Sequence, residues 1–260
     1  MNIFVFVKRV PDTESKIRID HEKAAIHEEG LNFVMSPYDE YAVEEALRLR
    51  EVHGGLVRVF SIGPDETQII LKKALAMGAD EAVLIKDEAV ETYDGLRTAR
   101  IIAGCLRTKY PEYDLLLFGK QAVGTDNSQV PPMTAALLNL PQANVAVKLE
   151  VSGNSVTVHR EIEGASEVVT MALPAVVSAQ KGLNEPRYET LKGIMMAKRK
   201  QIPVLTPEEL GVGVTDLKAG LVLKKLESPP PRDAGRTIDD EAESAAKKLV
   251  EYLRQEAKVI

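Results

Sequence analysis

A stretch of small and polar side chains at residues 119–130 has the composition of a loop that binds phosphate. It separates an apolar segment of strand length from a segment of helical length. Small residues let the backbone approach a ligand closely, and the helix predicted to begin near Pro131 directs its first N–H groups outward, where they bind anions. The stretch therefore predicts a nucleotide or phosphate site, although a plain connecting loop can have the same composition.

Three other short segments also follow predicted strands or precede a predicted helix, at residues 9–13, 36–39 and 62–64. The carboxyl ends of parallel strands meet at one edge of an open sheet, and ligands bind at that edge. We therefore expect these segments to lie beside residues 119–130 and to form one site with them.

The sequence contains none of the motifs that would add catalysis to such a site. It has no G-x-x-x-x-G-K-[ST] loop, no G-x-G-x-x-G after the first strand, no H-E-x-x-H and no G-x-S-x-G. The histidines are predicted to lie at the surface or in hinges, and the single cysteine, Cys105, is predicted to be a core thiol. A redox role would therefore require a bound cofactor, and nothing in these motifs points to an enzyme.

Composition narrows the class of protein further. The 260 residues are 45% hydrophobic and 28% charged, as in ordinary globular proteins of one or two domains, and the net charge of -6 argues against a nucleic-acid binder. The absence of an apolar run of about 18 residues and of a basic signal-peptide start predicts a soluble, uncleaved, cytoplasmic protein that is not embedded in a membrane.

The elements that position the site alternate between strand and helix over the first two thirds of the chain, which is typical of βαβ units. Strands are predicted at residues 2–8, 56–62, 82–85 and 114–119, and helices at about 37–52, 65–78 and 94–108. The first strand is almost wholly apolar, as expected when helices cover both faces of a parallel sheet. The predicted fold is an open, mainly parallel, Rossmann-like α/β sheet.

Two helix starts carry capping signals. Ser36 precedes Pro37 and Asp39, which predicts a helix capped by the side chain of Ser36, and Asp65 is predicted to cap the next one. The glycine pair at residues 54–55 ends the first of these helices.

The pattern changes after Leu140. Strands at 145–151 and 155–162 flank Gly153 and Asn154, a turn pair suited to positive φ, which predicts an antiparallel hairpin added to the sheet. Further strands are predicted at 168–173 and 175–178.

Prolines divide the chain near residue 200. From there on, Pro203, Pro207 and residues 229–231 predict an arm that runs over a surface and ends in a helix at 239–256. We expect an α/β domain at 1–200 and an arm at 201–260, whose helix needs a partner chain to cover its apolar face.

Five segments, read in order, resemble the β subunit of electron-transfer flavoproteins. They are residues 7–12 with 16–18, 42–49, 74–80, 119–122, and 173–177 continuing to 183–188, which reads Leu-Asn-Glu-Pro-Arg-Tyr. The resemblance covers about residues 1–200 and continues weakly into the arm. It implies a sheet of the adenine nucleotide α-hydrolase type.

The resemblance also implies a redox role shared with other proteins. A larger α subunit would hold the FAD, and the arm of this chain would pack on it. The heterodimer would pass electrons from flavin dehydrogenases, such as the acyl-CoA dehydrogenases of fatty acid oxidation, to a membrane quinone oxidoreductase.

In respiratory members of the family the β subunit buries an AMP that does no chemistry, and in electron-bifurcating members the same cavity holds a second FAD. AMP is the favoured expectation here, with the second FAD as the alternative. The matching positions are Phe6, Ser36, Pro37, Tyr38, Asp39, Ile62, Gly119, Lys120, Gln121, Ala122, Val123, Gly124, Thr125, Asp126, Asn127, Ser128, Gln129 and Val130. Ser36 replaces the common Asn, and the pair Gln129 and Val130 is closer to bifurcating members.

The family's recognition loop for dehydrogenases falls on residues 187–196, with Leu191 as its anchor and Arg187, Met195 and Met196 around it. Lys192 and Gly193 replace the frequent Pro-Asn pair. Glu161 matches a position that helps steer the flavin domain.

Two other classes of protein remain open. One is a stand-alone adenine-nucleotide-binding module of the universal-stress type, which shares the layered α/β plan but has a different glycine spacing after its fourth strand. The other is a nucleotide hydrolase or ligase, which the missing phosphate-activating motifs disfavour.

Overall fold

The computed structural model describes residues 1–87, 94–213, 215–231 and 234–260. These residues form two compact units, Met1–Leu226 and Glu227–Ile260. None of the helices in the described ranges has the length and apolar composition that a membrane span requires.

The larger unit contains thirteen short or long strands among its described residues. They are β1 (Asn2–Phe6), β2 (Arg9–Pro11), β3 (Ile19–Asp20), β4 (Ala25–Ile26), β5 (Phe33–Met35), β6 (Leu56–Gly63), β7 (Glu81–Lys86), β8 (Leu115–Gly119), β9 (Gln142–Ser152), β10 (Ser155–Ile162), β11 (Ala165–Ala172), β12 (Ala175–Ala179) and β13 (Val204–Leu205). The helices are α1 (Pro37–His53), α2 (Gln68–Met77), α3 (Gly95–Thr108), α4 (Val130–Leu138) and α5 (Leu191–Arg199), and α6 (Ala242–Gln255) belongs to the smaller unit.

Nine of the strands form one sheet in the order β11-β10-β9-β12-β8-β1-β6-β7-β13. From β9 to β13 all neighbours are parallel, whereas β10 is antiparallel to both β9 and β11. The predicted mainly parallel, Rossmann-like sheet is therefore confirmed, and the predicted hairpin gains β11 as a third strand. Gly153 has a φ of 55° at its turn.

The sheet is covered on both faces because alternate residues of its strands point to opposite sides. On β1, Ile3 and Val5 belong to a buried cluster with Leu47 of α1, while Phe4 belongs to a second cluster with Ile102 of α3. This arrangement explains why β1 is apolar at every position.

The order of the strands places a switch point beside β1. The chain moves outward from β1 to β6 and β7, and then returns to the other side of β1 to form β8. Connections that leave in opposite directions open a crevice at the carboxyl ends of β1 and its neighbours.

Both predicted side-chain caps are wrong. The hydroxyl of Ser36 makes no cap hydrogen bond to α1 and is directed at the carbonyl oxygen of Gln121, 3.5 Å away. Asp65 is the first residue of a 3-10 turn before α2, and its carboxylate accepts a 2.6 Å hydrogen bond from Lys86.

The first part of the predicted arm is built into the larger unit. Val204–Leu205 pairs with β7 as the edge strand β13, and Leu210 and Val212 are buried in the cluster around α3. The boundary between the two compact units lies after Leu226. In the smaller unit, α6 has no buried residues, and its apolar face remains exposed at Leu249 and Val250.

Candidate functional site

A cleft opens at the carboxyl ends of β1, β6 and β8, beside the first turns of α3 and α4. Its empty volume, including the part open to solvent, is about 810 Å³. Its position is the switch point of the sheet, as the strand pattern predicts.

Three phenylalanine rings line the cleft as a stacked row. Phe6 lies between Phe60 and Phe118, with ring centroids 5.0 and 4.9 Å apart and interplanar angles of 18° and 14°. The row forms because Phe6 is directly paired with Phe60 on β6 and with Phe118 on β8 in the strand register. The site therefore has an apolar, aromatic wall, of which the sequence identified only Phe6.

Asp39, near the start of α1, holds two of these strand ends together. Its carboxylate accepts hydrogen bonds from the backbone N–H of Lys8 at 2.7 Å and of Gly119 at 3.0 Å. Burial raises the pKa of Asp39 to about 7, although both N–H groups favour the ionised form. A Cβ atom on Gly119 would overlap Oδ1 of Asp39 and lie 2.7 Å from the carbonyl carbon of Tyr38, so only glycine fits there.

Asp94 organises the opposite wall. It caps α3, because Oδ1 accepts from the N–H groups of Leu96 and Arg97, and its Oδ2 accepts from Gly220 at 2.6 Å. Burial acts to raise the pKa of Asp94, but four backbone N–H groups together lower it. Both carboxylates in the cleft wall are therefore bound to backbone donors.

The backbone of the loop at residues 120–129 turns tightly. Gly124, Asp126 and Ser128 have φ values of 92°, 45° and 52°, and the last two are strained for residues with a side chain. Gln121 holds the loop closed, since its amide donates to Asp126 at 2.6 Å and accepts from Ser128 at 3.0 Å. Alternating left-handed residues of this kind turn successive N–H groups to one side, where an anion can bind.

The helix after this loop contributes less to an anion site than expected. Its second and third residues, Pro131 and Pro132, have no N–H, and the N–H of Met133 donates to the carbonyl oxygen of Gln129. Of the first four residues of α4, only Val130 keeps an N–H that can point to a ligand. Few of the N-terminal amides of α4 are therefore available to an anion, and in the loop the N–H groups of Thr125 and Asp126 donate to the carbonyl oxygen of Ala122.

The structure brings most of the predicted cofactor positions together. Those that line the cleft are Phe6, Asp39, Ile62, Gly119, Gln121, Ala122, Thr125, Asn127, Ser128, Gln129 and Val130. Those that do not line it are Ser36, Pro37, Tyr38, Lys120, Val123, Gly124 and Asp126. The ammonium group of Lys120 lies over the ring of Tyr38, 5.5 Å from its centroid.

Sequence reasoning missed part of the lining. The additional residues are Val7, Lys8, Phe60, Ser61, Asp94, Gly95, Thr98, Ile102, Phe118 and Pro131. Phe60 and Phe118 lie inside predicted strands, and their alignment with Phe6 depends on strand pairing, which is not visible in the sequence. Asp94 could have been found, because an aspartate directly before a predicted helix is a capping signal.

The predicted recognition loop is partly helical. Thr190 caps α5 by accepting a hydrogen bond from the N–H of Gly193 at 3.0 Å, so residues from Leu191 onward form a helix. Leu191 is 83% exposed, and Met195 and Met196 are 61% and 53% exposed. These three apolar side chains and Tyr188, which is 95% exposed, form an exposed patch that we call the docking face.

Arg187 and Glu161 lie in different environments. The guanidinium of Arg187 binds both carboxylate oxygens of Glu44, at 2.7 and 2.9 Å, and that of Glu51 at 2.6 Å. These hydrogen bonds raise the pKa of Arg187 further above its usual value. Glu161 is exposed on β10, opposite Ser166 of β11. Arg187 thus anchors its segment to α1.

Other candidate chemistry is limited in the part of the chain that the structure describes. No group of three or more histidine, cysteine or acidic residues there could hold a metal ion. Cys105 is buried, as predicted, and burial raises the pKa of its thiol to about 12, which keeps it protonated.

Comparisons with known proteins agree with one another. The family described as "Electron transfer flavoprotein domain" matches residues 23–210. The chain is 40% identical to "Electron transfer flavoprotein subunit beta" of Bacillus subtilis over 100% of both chains. It is 39% identical to the Homo sapiens protein of the same name, over 95% of this chain and 96% of that protein. It is 37% identical to the one from Thermoanaerobacterium thermosaccharolyticum, over 97% and 98%.

Proposed function

Because the chain belongs to the electron transfer flavoprotein family and matches its β subunits, we propose that it forms a heterodimer with a larger α subunit. In this heterodimer the FAD, held mainly by the α subunit, supplies the electron-transfer chemistry. The β chain would contribute a nucleotide site and a surface for electron donors. These donors would be flavin dehydrogenases such as acyl-CoA dehydrogenases, and the acceptor a membrane quinone oxidoreductase.

The observation that carries the proposal is the agreement between family positions and geometry. Eleven cofactor positions expected from the family line one cleft at the switch point of the sheet, and the expected anchor Leu191 is exposed on a different surface. A stand-alone nucleotide-binding module would have no reason to expose the docking face. The full-length match to β subunits also accounts for residues 227–260, which such a module lacks.

We propose that the cleft binds AMP. The stacked wall of Phe6, Phe60 and Phe118 suits a planar base, and the strained loop at residues 120–129 suits a phosphate. The two acidic groups in the walls, Asp39 and Asp94, do not oppose an anion strongly, because backbone N–H groups bind their oxygens.

We propose that the docking face binds the dehydrogenases, with Leu191 as its anchor. A large apolar side chain that is almost fully exposed gains much when it fills a pocket on a partner. The exposed apolar face of α6 is a second interaction surface, which we assign to the α subunit. Glu161 would help to position the flavin domain of that subunit.

The test is to co-express the chain with its α subunit, purify the complex, denature it and quantify the released flavin and AMP. One FAD and one AMP for each heterodimer would support the proposal. Two FAD and no AMP would reject AMP in favour of the electron-bifurcating alternative. A stable colourless monomer that does not associate with the α subunit would reject the heterodimer and favour a stand-alone nucleotide-binding module.

A further inference from the structure

The docking helix α5 is held against the rest of the fold at three points. At its N-terminal side, Arg187 binds Glu44 and Glu51 of α1. In its first turn, Gly193 touches α2. After its last turn, the ammonium group of Lys200 donates to the carbonyl oxygens of Ala79 at 3.2 Å and Asp80 at 2.6 Å, which follow α2.

Gly193 is the closest of these contacts. A Cβ atom on Gly193 would overlap the carbonyl oxygen of Ala76 and lie 3.1 Å from its carbonyl carbon. The obstacle is backbone, which cannot rotate away as the end of a flexible side chain can. Any side chain at residue 193 therefore requires α5 to move away from α2.

The position of α5 in turn decides where the docking face lies. Leu191 and Met195 flank Gly193 on the same short helix, and Ala197 of that helix is buried in the core cluster next to α2. A nine-residue helix moves largely as one piece, so a displacement at Gly193 also displaces the anchor Leu191. While α5 stays packed on α2, the docking face is already ordered, and little conformational entropy is lost when a partner binds.

We infer that Gly193 is a specificity-determining position: its missing side chain seats α5 on α2 and so sets where Leu191 and Met195 meet a dehydrogenase. Gly193 acts through α5 and does not itself contact the partner, so it is a positioning residue. This inference rests on the proposed docking function. It assigns a role to a residue at which the chain departs from the common family pattern.

The test is Gly193→Ala in the holo heterodimer, with an acyl-CoA dehydrogenase and its acyl-CoA substrate as the electron source. The expected result is a roughly tenfold rise in the heterodimer concentration that gives half-maximal reduction, because the docking face is no longer preorganised. The maximal rate at saturation and the flavin content stay unchanged. An unchanged half-saturation concentration would overturn the inference.

The matched control is Gly213→Ala. A Cβ atom at Gly213 meets only Asp216 Oδ2, at an ordinary 3.7 Å, so the same chemical change should leave both kinetic constants as they are. Equal effects of the two substitutions would mean that no seating of α5 is involved, and would also overturn the inference.

Lys200→Met decides the question if Gly193→Ala yields no intact complex. It keeps the aliphatic part of the side chain and removes the two carbonyl contacts that hold the end of α5. We expect a rise of about threefold in the half-saturation concentration, smaller than for Gly193→Ala, because the close contact of Gly193 with α2 stays in place. No rise with Lys200→Met would reject the inference.

Leu191→Ala distinguishes a failure of the proposed docking function from a failure of the proposed role of Gly193. If Leu191→Ala weakens the reaction but Gly193→Ala and Lys200→Met do not, the docking function stands and the seating of α5 is wrong. If Leu191→Ala has no effect, or the unsubstituted complex accepts no electrons from the dehydrogenase, the proposed function fails and the inference with it.

Discussion

The cleft and the docking face arrange polar and apolar groups in opposite ways. In the cleft, apolar rings are stacked in the wall, and the carboxylates of Asp39 and Asp94 are bound to backbone N–H groups. At the docking face, the apolar Leu191 is exposed, and the charged Arg187, which precedes α5, is bound to Glu44. The groups that shape the cleft also stabilise the sheet, whereas the apolar side chains of the docking face are exposed.

The two surfaces should therefore respond differently to substitution. Changes in the cleft alter stability and nucleotide content together, because the same contacts serve both. Changes at the docking face should alter only the encounter with a partner. The following substitutions test that separation.

Gly119→Ala should have the largest effect. Its Cβ atom would overlap Asp39 and crowd the backbone of Tyr38, so we expect the free energy of unfolding to fall by about 2 to 4 kcal/mol, as in overpacked cores. We also expect the purified complex to lose its cleft nucleotide. Thermal unfolding and nucleotide content measure the two effects. Nucleotide loss without destabilisation would show that shape and stability are separable in the cleft.

Leu191→Ala should leave stability unchanged and weaken docking. We expect the half-saturation concentration for reduction by an acyl-CoA dehydrogenase to rise about tenfold, as for an interface anchor. Flavin and nucleotide content should stay constant. Ile17→Ala, which removes the same number of carbon atoms from another exposed side chain, is the control. A similar rise for both would indicate a general loss of surface contact and not an anchor.

Asp39→Asn tests how the cleft depends on pH. Because burial raises the pKa of Asp39 to about 7 in the folded chain, the folded state binds the proton more tightly than the unfolded state does. The contribution of this group is therefore fully present at low pH and is lost as pH rises through about 7, with a slope near 1 kcal/mol per pH unit. Denaturant unfolding should show this slope between about pH 5 and 7 in the unsubstituted protein, levelling off by about pH 8, and a flatter dependence in Asp39→Asn. Equal slopes would place the titrating group elsewhere.

Glu51→Gln should have the smallest effect. The carboxylate of Glu51 is half-exposed, so its bond to Arg187 should contribute less than about 1 kcal/mol to stability. The hydrogen bond from Arg187 lowers the pKa of Glu51, and this contribution is therefore present at neutral pH and lost as the pH falls below the usual range for Glu. Chemical denaturation at neutral and acidic pH measures both. A larger loss of stability would show that the attachment of Arg187 to α1 depends on Glu51 as much as on Glu44.

Much of the fold could be predicted because its signals are local. Apolar strands and the alternation of strand and helix predicted the parallel core, and a glycine in the turn predicted the hairpin. The predicted caps at Ser36 and Asp65 were wrong, because partners distant in sequence, Gln121 and Lys86, compete for these side chains. Competition of this kind depends on which strands become neighbours.

The candidate site was predictable to a similar degree. The switch-point rule and the family positions identified the loop at residues 120–129 and Asp39. They did not identify Phe60 and Phe118, whose stacking on Phe6 follows from strand register. They also missed that Pro131 and Pro132 remove N–H groups from the first turn of α4. The helical form of the recognition segment was also missed, although Thr190 is an ordinary capping residue.

The sequence by itself determined the class of sheet, the carboxyl-end location of the cleft and the exposed leucine of residues 187–196, because each depends on residue type within a short window. Only the tertiary structure decided that Asp39 joins two strand ends, that three phenylalanines share one wall and that Gly193 must lack a side chain. These features depend on contacts between elements up to about a hundred residues apart, and such contacts exist only once the hydrophobic effect has packed the sheet and its helices together.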